Sequence, residues 1–227
     1  MKVYSIYSLY KLVLTNRRFG RFSSLRWLAC ANRKVIGGFM LDRFEKLMVD
    51  QCAPTLAGIK PASLFRIGGA ERAEIFQTAE FWDHQLHSVG IRVMVLKECP
   101  HTGACMIYLY RQEWLDKILK RQSIRQFLLN TGYILQDTVS ILHQLSHRFC
   151  LEQEYPHEVG IFLGYPLRDV VGFIENQGRN YTCCGYWKCY GNPIAARKCF
   201  DRYRDCTARF KQLHENGTSI MQLVSAA

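Results

Sequence analysis

From residue 40 onward, apolar and polar positions recur with periods that read as a succession of short elements. Residues 41–49 form an amphipathic helix, with Pro54 as its breaker, and residues 62–67 form a strand closed by Gly68 and Gly69. Ile75, Ala79, Trp82, Leu86 and Val89 stand at helical spacing, and Gly90 stops that helix. Residues 91–96 and 104–110 read as a β-pair whose connection carries Pro100 and Gly103. Short helices follow over 114–119 and 124–129. Leu135, Val139, Leu142, Leu145 and Phe149 mark a longer one. Residues 157–163 are helical up to Gly164. Pro166 then suits the first turn of a helix reaching about residue 176 and stopped by Gly178. Residues 181–190 make the last strand. Asn192 caps a long helix with Pro193 at its first position, and Thr218 caps a closing one. Few strands, separated by helices and including one hairpin, predict an α+β fold: a single compact domain with a small mixed or antiparallel sheet packed with several short helices.

Composition changes this picture at one place. The formal charge is +11, but residues 1–39 hold Lys2, Lys11, Arg17, Arg18, Arg21, Arg26, Arg33 and Lys34 and no acid. Removing those eight from the 30 Lys and Arg leaves 22 against 19 Asp and Glu, so residues 40–227 are nearly neutral. A phosphate-binding footprint would rest on the leader alone, and nucleic acid is not an expected partner of residues 40–227. The leader is aperiodic and ends in Val35-Ile36-Gly37-Gly38-Phe39, where the codons for Ile-Gly-Gly can spell a ribosome-binding sequence. The expectation is that residues 1–39 are a basic extension outside the fold and that Met40 is the natural start. The alternative is a membrane-surface or RNA-binding arm. No apolar run approaches the roughly 20 residues of a bilayer span. Ten cysteines without a secretory signal point to free thiols in a reducing cytoplasm.

The sequence contains no P-loop, G-x-G-x-x-G, H-E-x-x-H or G-x-S-x-G. His143 and His147 share a helix face, but the apolar stripe of that helix points elsewhere, which favours a solvated pair; His84 and His87 read the same way. In a strand over 181–190, Cys183 and Cys189 face one side and Cys184 and Lys188 the other. Thiol filling of the core is the simpler reading. A soft-metal site would draw on Cys183, Cys184, Cys189 and Cys206, with Cys199 in reach. His157 and Glu158 at a helix start are candidate proton-handling groups. Lys60, Arg111 and Lys188 beside apolar segments are candidate anion ligands, with Tyr165, Trp187 and Tyr190 as aromatic walls.

Three long segments carry a resemblance: residues 52–65 (CAPTLAGIKPASLF), 157–170 (HEVGIFLGYPLRDV) and 184–190 (CGYWKCY). Together they resemble the bacterial family Domain of Unknown Function 3793, over roughly residues 41–215. The resemblance implies a start near Met40, directs attention to Lys60, His157, Glu158, Tyr165, Asp169, Trp187 and Lys188, and implies an association with redox or iron-handling proteins. It supplies no activity and names no cofactor. The expected function is a cytoplasmic small-ligand-binding domain for an anionic molecule. Lys60 and Lys188 would hold the charge, Tyr165 and Trp187 would stack, and His157 with Glu158 would move protons. The alternatives are a thiol-based redox or iron-linked accessory protein and a nucleic-acid or protein-partner module.

Overall fold

A computed structural model describes residues 38–151 and 156–227. The leader up to residue 37, with the expectations attached to it, lies outside the described residues. The chain begins with α1 (Gly38–Leu56), whose Leu41, Phe44, Met48 and Cys52 form a buried stripe at helical spacing. This helix runs past Pro54, beyond the end the sequence predicts. Proline forfeits one helical hydrogen bond, that to the carbonyl four residues earlier; the carbonyls left open at the helix end are satisfied from outside. The Pro54 carbonyl accepts from the N–H groups of Ile59 (2.9 Å) and Lys60 (3.0 Å). Arg111 donates to the terminal carbonyls of Thr55 and Leu56, both at 2.8 Å.

Then come β1 (Ala62–Ile67), α2 (Arg72–His87), β2 (Ile91–Glu98) and β3 (Cys105–Arg111). The strands lie in the order β1-β3-β2, antiparallel throughout, with Leu64 opposite Tyr108 and Met94 opposite Tyr108 on the other side. Alternation along β3 divides the core into two layers. Cys105, Ile107 and Leu109 face α1 and α2; Tyr108 and Tyr110 face the opposite way. The second layer is built by α3 (Gln112–Leu119), α4 (Gln122–Asn130), α5 (Thr138–Leu151), α6 (Val159–Phe162) and α7 (Leu167–Glu175). The buried Tyr108 hydroxyl donates to the Phe162 carbonyl (2.7 Å) and pins α6 to the sheet. Edge strand β2 has an irregular register between Val95 and Lys97. Its Leu96 carbonyl accepts from the Ser146 hydroxyl (2.5 Å), and its Val93 N–H donates to Asp83 (2.8 Å).

The C-terminal part contains β4 (Cys183–Cys184), β5 (Lys188–Cys189), α8 (Pro193–Glu215) and α9 (Ile220–Ser225). The α+β expectation holds: nine helices among the described residues, a three-stranded antiparallel sheet and a two-stranded one. Besides the run of α1 past Pro54, three local expectations change. The strand over 181–190 is a tight hairpin, because the chain reverses at Gly185, whose N–H donates to the Trp187 carbonyl (3.1 Å). Any side chain at Gly185 would meet the Phe200 ring, 2.3 Å from the Cβ position. The helix over 157–163 shrinks to the single turn of α6. The closing helix is capped by Ser219, not Thr218, through a capping box with Gln222. The Asn192 cap and Pro193 at N1 of α8 are as expected. No described helix is long and apolar enough to cross a membrane.

Gly164 has φ +79°, and a Cβ there would stand 2.0 Å from Pro61 Cγ. Gly164→Ala should therefore cost about 2–4 kcal/mol, from left-handed strain and overpacking together. Urea denaturation measures this, and a variant as stable as the parent would exclude the Gly164–Pro61 contact.

Candidate functional site

The segment after α6 turns at Gly164 and enters α7 through Tyr165 and Pro166. This places Asp169 in the first helical turn, where exposed N–H groups favour a carboxylate. Asp169 is only 4% exposed. Its Oδ2 accepts the Trp187 indole N–H (2.7 Å), and its Oδ1 accepts the backbone N–H groups of Tyr190 (2.8 Å) and Gly191 (2.9 Å). One carboxylate thus fixes the hairpin against α7 and sets the indole plane. Trp187 stacks on Tyr165, with ring centroids 5.0 Å apart at 27°, and meets Phe200 of α8 edge-on at 4.5 Å. The Tyr165 hydroxyl donates to the Tyr186 carbonyl (3.1 Å), and the Tyr186 ring packs on Tyr203 at 5.2 Å. Five aromatic side chains therefore run continuously from the segment before α7 through the hairpin to α8.

Beneath this cover lies Lys60, 6% exposed, its Nζ 5.6 Å from the Tyr165 ring centroid. Its hydrogen-bond partner is the Ser63 hydroxyl at 3.5 Å, itself 2.8 Å from that of Thr55. No described carboxylate stands at ion-pairing distance from the amine. Desolvation lowers the Lys60 pKa from 10.5 to about 8, against an opposing pull from the Cys52 and Cys199 thiols. Burial pushes the fully enclosed Cys52 thiol up to about 12, which keeps it protonated.

Lys60, Tyr165 and Trp187 are thus brought together, and the other candidates stand apart. Arg111 spends its guanidinium on the end of α1. Lys188 donates to the Gly178 carbonyl (2.8 Å) and lies over the Phe173 and Tyr181 rings. His157 is exposed and packs edge-on against Phe173 at 4.8 Å. Glu158 turns inward, 6% exposed, accepting from Tyr133 (3.1 Å) and pairing with Arg148 (3.3 Å). The two neighbours in sequence do not share a site: both precede α6, and in the turn that leads into it one side chain faces outward and the other inward. His84, His87, His143 and His147 are all exposed.

Cys183 and Cys189 are register partners, buried together with Phe200, while Cys184 is exposed and Cys206 packs against the separate layer around α1. The cysteine quartet is not assembled. Among the described residues no three His, Cys, Asp or Glu side chains stand close enough to hold a metal ion.

The structure adds a feature absent from the sequence reading. Between the hairpin and α8 lies an open groove of about 420 Å³, lined by Cys184, Tyr186, Arg197, Phe200, Asp201 and Arg204. Arg197 and Arg204 are seven apart on α8 and so share a face, with Phe200 between them. That spacing is visible in the sequence; the hairpin that walls the groove is not.

Set beside known proteins, residues 48–224 match the family described as "Protein of unknown function (DUF3793)". No curated protein and no solved structure matches the chain.

The lowered amine pKa gives a signed expectation for stability. Between pH 8 and 10.5 the unfolded chain holds more protons at Lys60 than the folded one. The cost of the buried charge is therefore complete below pH 8 and is relieved as pH climbs to 10.5. Lys60→Met should be more stable than the parent at pH 7, by up to about 3 kcal/mol, with a smaller margin at pH 9.5. Paired urea denaturation at the two pH values checks this. A margin that widens with pH would contradict the burial of a charged amine.

Proposed function

We propose that this chain, which belongs to the DUF3793 family of proteins of unknown function, is a small-molecule-binding domain for an anionic ligand with a flat apolar portion. The observation that carries the reading is the groove between the hairpin and α8. Its volume of about 420 Å³ falls in the usual range for small-molecule sites, roughly 300–1,000 Å³. Arg197 supplies a forked donor suited to carboxylate or phosphate, Arg204, which also pairs with Asp201, supplies a second, and Tyr186 with Phe200 supplies an aromatic floor. Asp169 supports the floor from behind by fixing Trp187 against Phe200. Within this reading Lys60, Tyr165 and Trp187 form the interior backing of the site. Lys188 and Arg111, each occupied by backbone carbonyls, are not its anion ligands. His157 and Glu158, directed to different surroundings, have no shared proton-transfer role in it. A cytoplasmic location belongs to the same reading, supported by nine free thiols among the described residues.

Native mass spectrometry of the full chain, purified without oxygen, tests it. The expected result is a bound organic anion that disappears from the Arg197→Ala, Arg204→Ala double variant. Losing two charge-assisted contacts should weaken binding by about a hundredfold or more. Equal occupancy in both proteins, or a bare polypeptide mass in both, would remove the groove as the site.

One observation favours a second reading, thiol chemistry at the hairpin: Cys183 and Cys189 face each other in register and are buried together. Treatment with diamide should convert them to an intramolecular disulfide, the two thiols giving up two electrons and two protons to the diazene. Peptide mapping of the oxidised protein should recover residues 183 and 189 cross-linked. Recovery of both as free thiols while Cys184 is modified would end that reading.

A further inference from the structure

Lys60 is a buried amine whose presence the fold does not explain. A methionine of similar length would fill the same space without the cost of a desolvated charge. The amine has one long hydrogen bond, to Ser63 at 3.5 Å, and no described carboxylate answers its charge. Around it stand a hydroxyl pair, Thr55 and Ser63, and the enclosed Cys52 thiol. Over it lies the half-buried Tyr165 ring. Tyr165 is held by its stack on Trp187 and by the bond from its hydroxyl to the Tyr186 carbonyl. These two contacts belong to the ring and its hydroxyl, whereas the backbone N–H of Tyr165 is held separately by the Gly160 carbonyl (2.8 Å).

We propose that Lys60 is a carbonyl-reactive amine that forms an imine with a small aldehyde or keto compound admitted when Tyr165 swings aside. In that step Nζ adds to the carbonyl carbon and a C–N bond forms. The C–O bond then breaks, and the oxygen leaves as water with the two hydrogens of the neutral amine. No electrons are exchanged and no co-reactant is required. The Ser63 hydroxyl orients the nitrogen. Return of Tyr165 over the adduct excludes the water that would hydrolyse it. The same burial that makes the lysine costly in the fold supplies the neutral nucleophile near physiological pH, because desolvation disfavours the ammonium form. This inference does not rest on the groove: the imine is read at Lys60, whereas the groove is read through Arg197 and Arg204.

The test uses the full chain with glyoxylate as probe and cyanoborohydride as hydride source, which reduces the imine to a stable secondary amine. Peptide mapping then locates the added mass. At pH 7, Lys60 should be labelled at least about tenfold faster than the exposed Lys117, because desolvation disfavours the ammonium form of Lys60. Lys117 is a fair reference because its side chain is 72% exposed. The rate at Lys60 should rise with pH and level off above about 8. Tyr165→Ala should speed labelling at Lys60 several-fold, and Lys60→Arg should abolish it at that peptide alone. Labelling of Lys117 with none at Lys60 in either the parent or the Tyr165→Ala protein would overturn the proposal. So would a Lys60 rate that climbs to pH 10 without levelling. An unchanged rate in Tyr165→Ala would overturn the part assigned to the ring.

Discussion

The Asp169 carboxylate receives three N–H groups while almost wholly buried, and the C-terminal half of the structure is arranged around it. Each charge-assisted bond of this kind contributes more than a neutral one, roughly 1.5–3 kcal/mol. The entropy of ordering the connection from α7 to α8 works against them. A hairpin with two residues in each strand is too short to hold its shape alone. What holds it is the carboxylate behind it and Phe200 beneath it. Because the Trp187 indole is bonded at its only polar atom, its plane is fixed, and with it the stack on Tyr165 and the cover over Lys60.

Two kinds of buried charge coexist here. Glu158 and Asp169 have partners on both oxygens or a facing guanidinium, so their desolvation is offset within the fold. Lys60 has only the Ser63 hydroxyl and the face of the Tyr165 ring, and no described carboxylate answers its charge. The contrast separates architecture from chemistry. The carboxylates organise backbone and helix ends, whereas the amine organises nothing that an apolar residue would not.

How far the sequence carries depends on whether an element is shaped by its own residues or by distant ones. The alternation over 105–111 was readable because each face of β3 meets a different apolar layer, and Asn192-Pro193 was readable because a cap is a local device. The hairpin was not readable as one. Residues 181–190 alternate like a strand, and the reversal follows from Phe200 occupying the space at Gly185. Helix α1 outruns Pro54 for a similar reason, since the guanidinium that completes its end arrives from residue 111. At the site, Lys60, Tyr165 and Trp187 were found as members of distinctive segments. The divergence of His157 from Glu158 was beyond reach, because the two sit in a turn ahead of α6, where no period fixes which way a side chain faces.

The outer margin of the sheet at β2 carries a consequence of a different kind. The Val93 N–H is occupied by Asp83, the Leu96 carbonyl by Ser146, and the pairing is irregular between Val95 and Lys97. An incoming extended segment would find one donor and one acceptor of this edge already taken and the pairing beyond them out of step. The side chains that tie β2 to α2 and α5 therefore also act as a stop on sheet growth. They protect a chain with a strongly apolar central strand from polymerising along that margin while it is crowded or newly made.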